Sequence, residues 1–144
     1  MVLYFSYGSN MNSQRMLDRG VNFTNKELGI LHGYKMLMNK RSYKNPEMGF
    51  ANIVPSLDEH VEGILYEISE EDIFKLDRFE GFPKHYNRRH LIVNGEESIV
   101  YIANPKWVSI GELKVTEEYK NHILEGKKFV SKNYYNMVLE KIKI

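Results

Sequence analysis

An α+β fold with a mixed or barrel-like sheet is what this 144-residue sequence predicts. Strand-like and helix-like runs follow one another in irregular order, which disfavours a doubly wound sheet. An Asn94-Gly95 pair between two apolar runs marks antiparallel neighbours, because both central positions of a type I′ turn need positive φ. Hydrophobic residues make up 42% of the chain, enough for a packed core, and the length matches a nominal ~150 residues per domain, so residues 1–144 are expected to form a single domain.

The elements follow in order. Val2 to Tyr7 is β-branched and aromatic and stops at Gly8-Ser9-Asn10, a short buried strand followed by a turn. Asn12 to Arg19 reads as a helix capped by Asn10 or Asn12 and stopped by Gly20. Leu28 to Lys40 and Gly49 to Val54 are strands on either side of a polar loop at 41–46, and Val61 to Ile68 is a third. Ser69, three residues before Asp72, caps a helix whose Ile73, Leu76 and Phe79 recur at a spacing of three; Gly81 and Pro83 end it near Glu80. Arg88 to Val93 and Glu97 to Ala103 form the hairpin, and Thr116 to Leu124 and Lys132 to Ile142 are helical, with Gly126 between them.

Composition removes several classes of function. Net charge is 20 − 19 = +1, so neither nucleic acid nor an acidic membrane is the default partner. The absence of cysteine excludes a disulfide framework, a thiolate nucleophile and a Cys-ligated metal, and the histidines show no metal-ligand spacing, so no metal is expected. No run reaches the ~18 apolar residues of a membrane helix, and the N-terminus lacks a secretory h-region, so the expectation is a soluble cytoplasmic protein without a membrane partner.

Two places can carry chemistry. At Tyr7-Gly8-Ser9-Asn10, glycine permits close backbone approach and the amides at the following helix start can receive an anion or oxyanion. Taken alone, the segment reads more simply as a tight turn with a Ser or Asn cap. Glu80 stands at a helix C-terminus one turn after Asp77; the helix dipole and that carboxylate both oppose its ionisation, as would burial against Phe79 or Phe82. Its plainer reading is a solvated helix-end glutamate. The KHYNRRH run at 84–90 offers a basic patch for RNA, against which stand the near-neutral charge and the lack of a nucleic-acid motif.

Together these residues resemble a known family. YFSYGSNM, VEGILYEI, LDRFEG followed by Tyr86-x-Arg88, and EYKNHILEG are similar to the γ-glutamylcyclotransferase family, including its γ-glutamylamine cyclotransferase and AIG2-like branches, and the likeness spans essentially the whole chain. The resemblance implies a small mixed β-barrel with surrounding helices. It also implies an intramolecular reaction on a small-molecule γ-glutamyl substrate: the α-amine attacks its own γ-carbonyl, closes 5-oxoproline and expels the attached amine or amino acid. On this likeness Glu80 matches the catalytic general acid/base and Tyr7, Gly8, Ser9 and Asn10 the substrate loop. Tyr119 aligns with a pocket tyrosine, although Glu117-Glu118 stand where the family often has a Pro-Ser-type approach. Arg15 can pair with a substrate carboxylate. No cofactor is implied, since nucleophile and electrophile share one molecule and the enzyme chiefly has to hold a folded conformer. The competing reading is a non-catalytic small-molecule binding domain of the same fold. Neither the leaving group nor the oligomeric state is legible.

Overall fold

The computed structural model describes residues 1–144. Five strands, β1 (Val2–Ser6), β2 (Phe23–Arg41), β3 (Gly49–Ile68), β4 (Tyr86–Val93) and β5 (Glu96–Ala103), form one sheet in the order β2-β3-β1-β5-β4. Four helices, α1 (Ser13–Asp18), α2 (Glu70–Glu80), α3 (Glu117–Leu124) and α4 (Lys132–Lys141), complete the α+β fold, with short 3₁₀ turns at Ser9–Met11, Pro105–Trp107 and Glu125–Lys128. The pairing of β1 with β5 is parallel and all the others are antiparallel, which makes the sheet mixed.

The sheet curls until its two edges meet. Asn94, in the left-handed region at φ 53°, donates from Nδ2 to the Leu28 carbonyl (2.8 Å) and accepts the Ile30 N–H at Oδ1 (2.9 Å). No ladder joins β2 to β4, so the barrel expectation holds for curvature and not for closure. Curling buries six consecutive residues, Val61 to Tyr66, on β3: both faces of that strand are covered. Phe5, Ile64, Leu65, Tyr66, Ile68 and Leu76 are among the fully buried side chains of the core.

Several boundaries differ from the sequence expectation. Gly49 to Val54 and Val61 to Ile68 belong to one long strand, because β2 pairs with both of its halves. Ser56 to Glu59 bulge out opposite Gly33 between the pairs His32↔His60 and Tyr34↔Pro55, and this excursion accommodates Pro55, which has no N–H to offer a ladder. β2 starts at Phe23, five residues before the expected Leu28, since Phe23 pairs with Ile68 across a stretch whose polar residues carry no alternation. α1 is trimmed to Ser13–Asp18 with Asn12 as its cap, accepting the Gln14 and Arg15 N–H groups, while Ser9–Met11 winds into a separate 3₁₀ turn.

Where β1 stops at Ser6, a gap opens between β3 and β5. The chain leaves the sheet there, so the exposed edge of β3 loses its backbone partner and takes side chains instead. Tyr119 accepts the Ala51 N–H (2.9 Å), Tyr86 donates to the Ala51 carbonyl (2.8 Å), and Asn52 Oδ1 accepts the Ala103 N–H (2.9 Å). Buried backbone groups need such partners, and supplying them from side chains leaves space that a strand would have filled.

Candidate active site

That space is a cavity of about 530 Å³, lined among others by Tyr7, Gly8, Ser9, Asn10, Arg15, Glu80 and Tyr119. The loop, carboxylate, Arg15 and Tyr119 singled out in the sequence therefore meet in one pocket, although they come from the loop and 3₁₀ turn after β1, from α1, from α2 and from α3.

Glu80 reaches it through the end of α2. Ser69 caps the helix by accepting the Asp72 N–H (3.2 Å), and Gly81 ends it in the left-handed region at φ 65°. The Phe82 N–H returns to the Asp77 carbonyl (2.8 Å) and the Gly81 N–H to that of Arg78 (3.2 Å), the paired bonds of a Schellman ending. Glu80 keeps some solvent contact, yet the protein packed around its carboxyl raises its pKa above the ordinary 4.5; Arg19, Arg15 and Lys40 pull the other way and do not cancel the burial. The physical cause is thus desolvation. Asp77, expected to oppose ionisation, instead accepts a hydrogen bond from Tyr101 Oη (2.7 Å) and lies 3.3 Å from Arg88 Nε. Phe82 packs under Arg88 (4.6 Å) and Phe79 under Arg19 (4.7 Å), while tyrosines dominate the pocket lining near Glu80.

The loop at 7–10 presents its backbone. The N–H groups of Gly8, Ser9 and Asn10 have no acceptor within the protein. Gly8 is at φ −118°, so what glycine provides is space rather than handedness: a Cβ there would crowd Tyr119 Oη at 3.2 Å and touch the Ala51 Cβ at 3.4 Å. The side chains of Tyr7 and Asn10 serve the scaffold. Tyr7 donates to the Tyr101 carbonyl. Asn10, itself buried, donates to Tyr4 Oη (3.0 Å) and accepts from Arg19 Nη1 (3.1 Å), so it ties the loop to Arg19. Tyr119 accepts the Ala51 N–H, which leaves its own proton free to donate into the cavity, and burial raises its pKa so that it stays neutral. Arg15 is fixed by a bond from Nη1 to His122 Nε2 (3.1 Å), while its buried Nε has no partner.

Arg19 and Lys40 also line the pocket and were not singled out in the sequence, and they are joined by Tyr86 and His85, which entered there only through the Tyr86-x-Arg88 motif and the basic run at 84–90. Arg19 follows Arg15 at the i+4 spacing that shares a helix face, a signal that was available. Lys40 lies two residues beyond Met38 in the buried phase of the strand, a signal obscured by the bulge between Leu37 and Lys40. The KHYNRRH run is divided among tasks: His85 turns to Lys40, Arg88 to Asp77 and His90 to Glu97 (2.6 Å).

The site is thus a small-molecule-sized cavity at the interrupted edge of a curled mixed sheet, with one carboxylate raised by burial and a run of free amides. The comparisons specify it. Residues 4–131 match the family described as gamma-glutamyl cyclotransferase, AIG2-like, and the chain belongs to that family. Among solved structures it is similar to YkqA from Bacillus subtilis (TM-score 0.84, 20% identity, covering 99% of this chain and 56% of that one). It is also similar to the uncharacterized protein loc79017 from Homo sapiens (TM-score 0.81, 22% identity, 99% and 89% covered) and to a structure named gamma-glutamyl cyclotransferase (TM-score 0.80, 22% identity, 99% and 88% covered). The chain thus spans little more than half of YkqA, and at these identities the likeness establishes the fold. No curated protein sequence matches it. No helix is long and apolar enough to cross a membrane.

Proposed function

We propose that the protein releases 5-oxoproline from a small γ-glutamyl amide, with Glu80 as the proton-transfer group. The observation that carries this reading is a carboxyl group raised by burial in the same cavity as the unpaired amides of Gly8, Ser9 and Asn10. The α-amine of such a substrate is largely protonated near neutral pH and must lose a proton before it attacks. Ionised Glu80 takes that proton and passes it to solvent, the freed nitrogen pair bonds to the γ-carbon, and Glu80 then removes the second proton from the ring nitrogen and delivers it to the departing nitrogen as the C–N bond breaks; the neutral amine released takes up a further proton from water. A pKa above the ordinary glutamate value suits a group that both accepts and donates.

Negative charge gathers on the γ-carbonyl oxygen as the ring closes, and the loop amides supply donors that need no reorganisation to meet it. The substrate's α-carboxylate finds Arg15, whose Nε is buried without a partner, and Arg19, held by Asn10. Tyr119 contributes a hydrogen-bond donor. Holding amine and carbonyl in a folded conformer supplies much of the acceleration, because the reaction is already intramolecular.

The test is mass-spectrometric detection of 5-oxoproline after incubating the protein, and its Glu80→Gln variant, with a panel of γ-glutamyl amino acids and amines. Product from the native protein alone supports the assignment. Binding without product from any compound would point to a non-catalytic binding domain of the same fold.

A further inference from the structure

We propose that Lys40 receives a carboxylate on the leaving group, so that the preferred substrates are γ-glutamyl amino acids or peptides rather than γ-glutamyl derivatives of carboxylate-free amines. The inference rests on the cyclotransferase reading above and adds which amine departs.

Lys40 is only 3% exposed. Its ammonium sits over the rings of Trp107 (5.0 Å), Phe50 (5.7 Å) and Tyr86 (5.8 Å), and it donates to the Arg41 carbonyl and to His85 Nδ1, both at 2.8 Å. Its third N–H has no protein acceptor, and no carboxylate lies within ion-pair distance. A buried charge without a counter-ion is costly, and proteins normally pair such groups. That cost shows in its pKa, held down to about 8 by burial even though Glu80, in the same cavity but beyond ion-pair distance, pulls it upward. Lys40 lines the cavity, so an anionic ligand there is the missing partner.

The surrounding wall has the same polarity. Among charged lining residues the cavity has Arg15, Arg19, Lys40, Lys44 and Arg78 against a single carboxylate, Glu80. His85, kept neutral by burial and by the neighbouring lysines, accepts from Lys40 at Nδ1 but is no counter-ion to it. The glutamyl end has its own partners in Arg15, Arg19 and the loop amides, which leaves Lys40 for the other end of the substrate. Lys40 lies beside the rim at 42–44, where Tyr43 is 75% exposed and stands edge-on to Trp107 (5.9 Å); a variable leaving group fits that open side. A γ-glutamyl amino acid carries two carboxylates and one ammonium, whereas a γ-glutamyl alkylamide carries one of each and leaves Lys40 unpaired.

The test compares γ-glutamyl-alanine with γ-glutamyl-ethylamide, which differ only in that carboxylate, by kcat/KM for 5-oxoproline release. The native protein is expected to favour γ-glutamyl-alanine by about tenfold or more, mainly through KM, as a charge-assisted contact implies. In Lys40→Gln the ratio should fall to within about threefold of unity, and in Lys40→Arg it should persist. The ratio is insensitive to a general disturbance of Glu80, which both substrates share. A native ratio near one, or one that Lys40→Gln leaves unchanged, overturns the proposal; if the Gln variant does not fold, Lys40→Met is used and the native ratio still decides. Should neither compound yield 5-oxoproline, the reaction reading fails separately, and calorimetry on the same pair decides: tighter binding of γ-glutamyl-alanine supports the role of Lys40, and equal or absent binding overturns it.

Discussion

Glu80 is held above the ordinary carboxylate range by burial despite three nearby cations, and its substitution has effects that can be separated. Glu80→Gln should lower kcat by about 10²–10⁴-fold with the fold retained, measured by turnover and circular dichroism. Because the base must be ionised, kcat/KM should fall as pH drops through the Glu80 pKa, with an inflection above the ordinary 4.5. Stability runs in the other direction. Well below 4.5 the group is protonated in both states and costs nothing; as pH rises the unfolded chain ionises first, and the native state loses stability until its own higher pKa is passed. Glu80→Gln should therefore raise Tm near neutral pH and leave it nearly unchanged below about pH 4, as read by thermal unfolding at both values. At Gly8 the constraint is space: Gly8→Val pushes carbon toward Tyr119 Oη and Ala51, and KM for the γ-glutamyl substrate should rise. An unchanged KM would remove the loop from the binding site. The carboxylate and the loop were both legible as residues. Arg19 and Lys40 were not, because a cation in a helix or strand pattern reads as a solvated side chain until something apolar is seen around it.

At the scale of the element, α2 positions Glu80 through its two ends. Ser69→Ala removes the cap and should cost about 1 kcal/mol with little change in turnover. Gly81→Ala places a Cβ in the left-handed region, 2.8 Å from His85 Cδ2. It should cost about 1–2 kcal/mol and also impair turnover, because the strain falls between Glu80 and the partner of Lys40. Unfolding and activity measured on the two variants distinguish a helix that merely folds from one that aims its last residue. Both ends were readable, since capping and left-handed endings depend on residues within a few positions of each other. The continuity of β3 was not: Pro55, Asp58 and Glu59 interrupt the apolar pattern, and only pairing with β2 shows that Ser56 to Glu59 form a bulge rather than a break.

At the scale of the molecule, one turn residue joins the edges of the sheet. Asn94→Ala loses two side-chain hydrogen bonds to β2 and strains a position at φ 53°; it should cost about 1–3 kcal/mol. Hydrogen exchange at the Ile30 amide should accelerate with it. Asn94→Gly keeps the backbone geometry, and faster exchange at Ile30 in that variant as well would assign the effect to the lost bonds. The sequence by itself determined the α+β class, the hairpin at Asn94-Gly95, the ends of α2 and the kinship carried by YGSN and Glu80. These are local signals: caps, turns and alternation are set by neighbours along the chain. Only the tertiary structure decided that β1 stops short between β3 and β5, that Tyr86 and Tyr119 complete the exposed edge at Ala51, and that Lys40 is buried beside the cavity without a counter-ion. Those features depend on residues scores of positions apart, and burial and charge pairing arise only when packing brings them together.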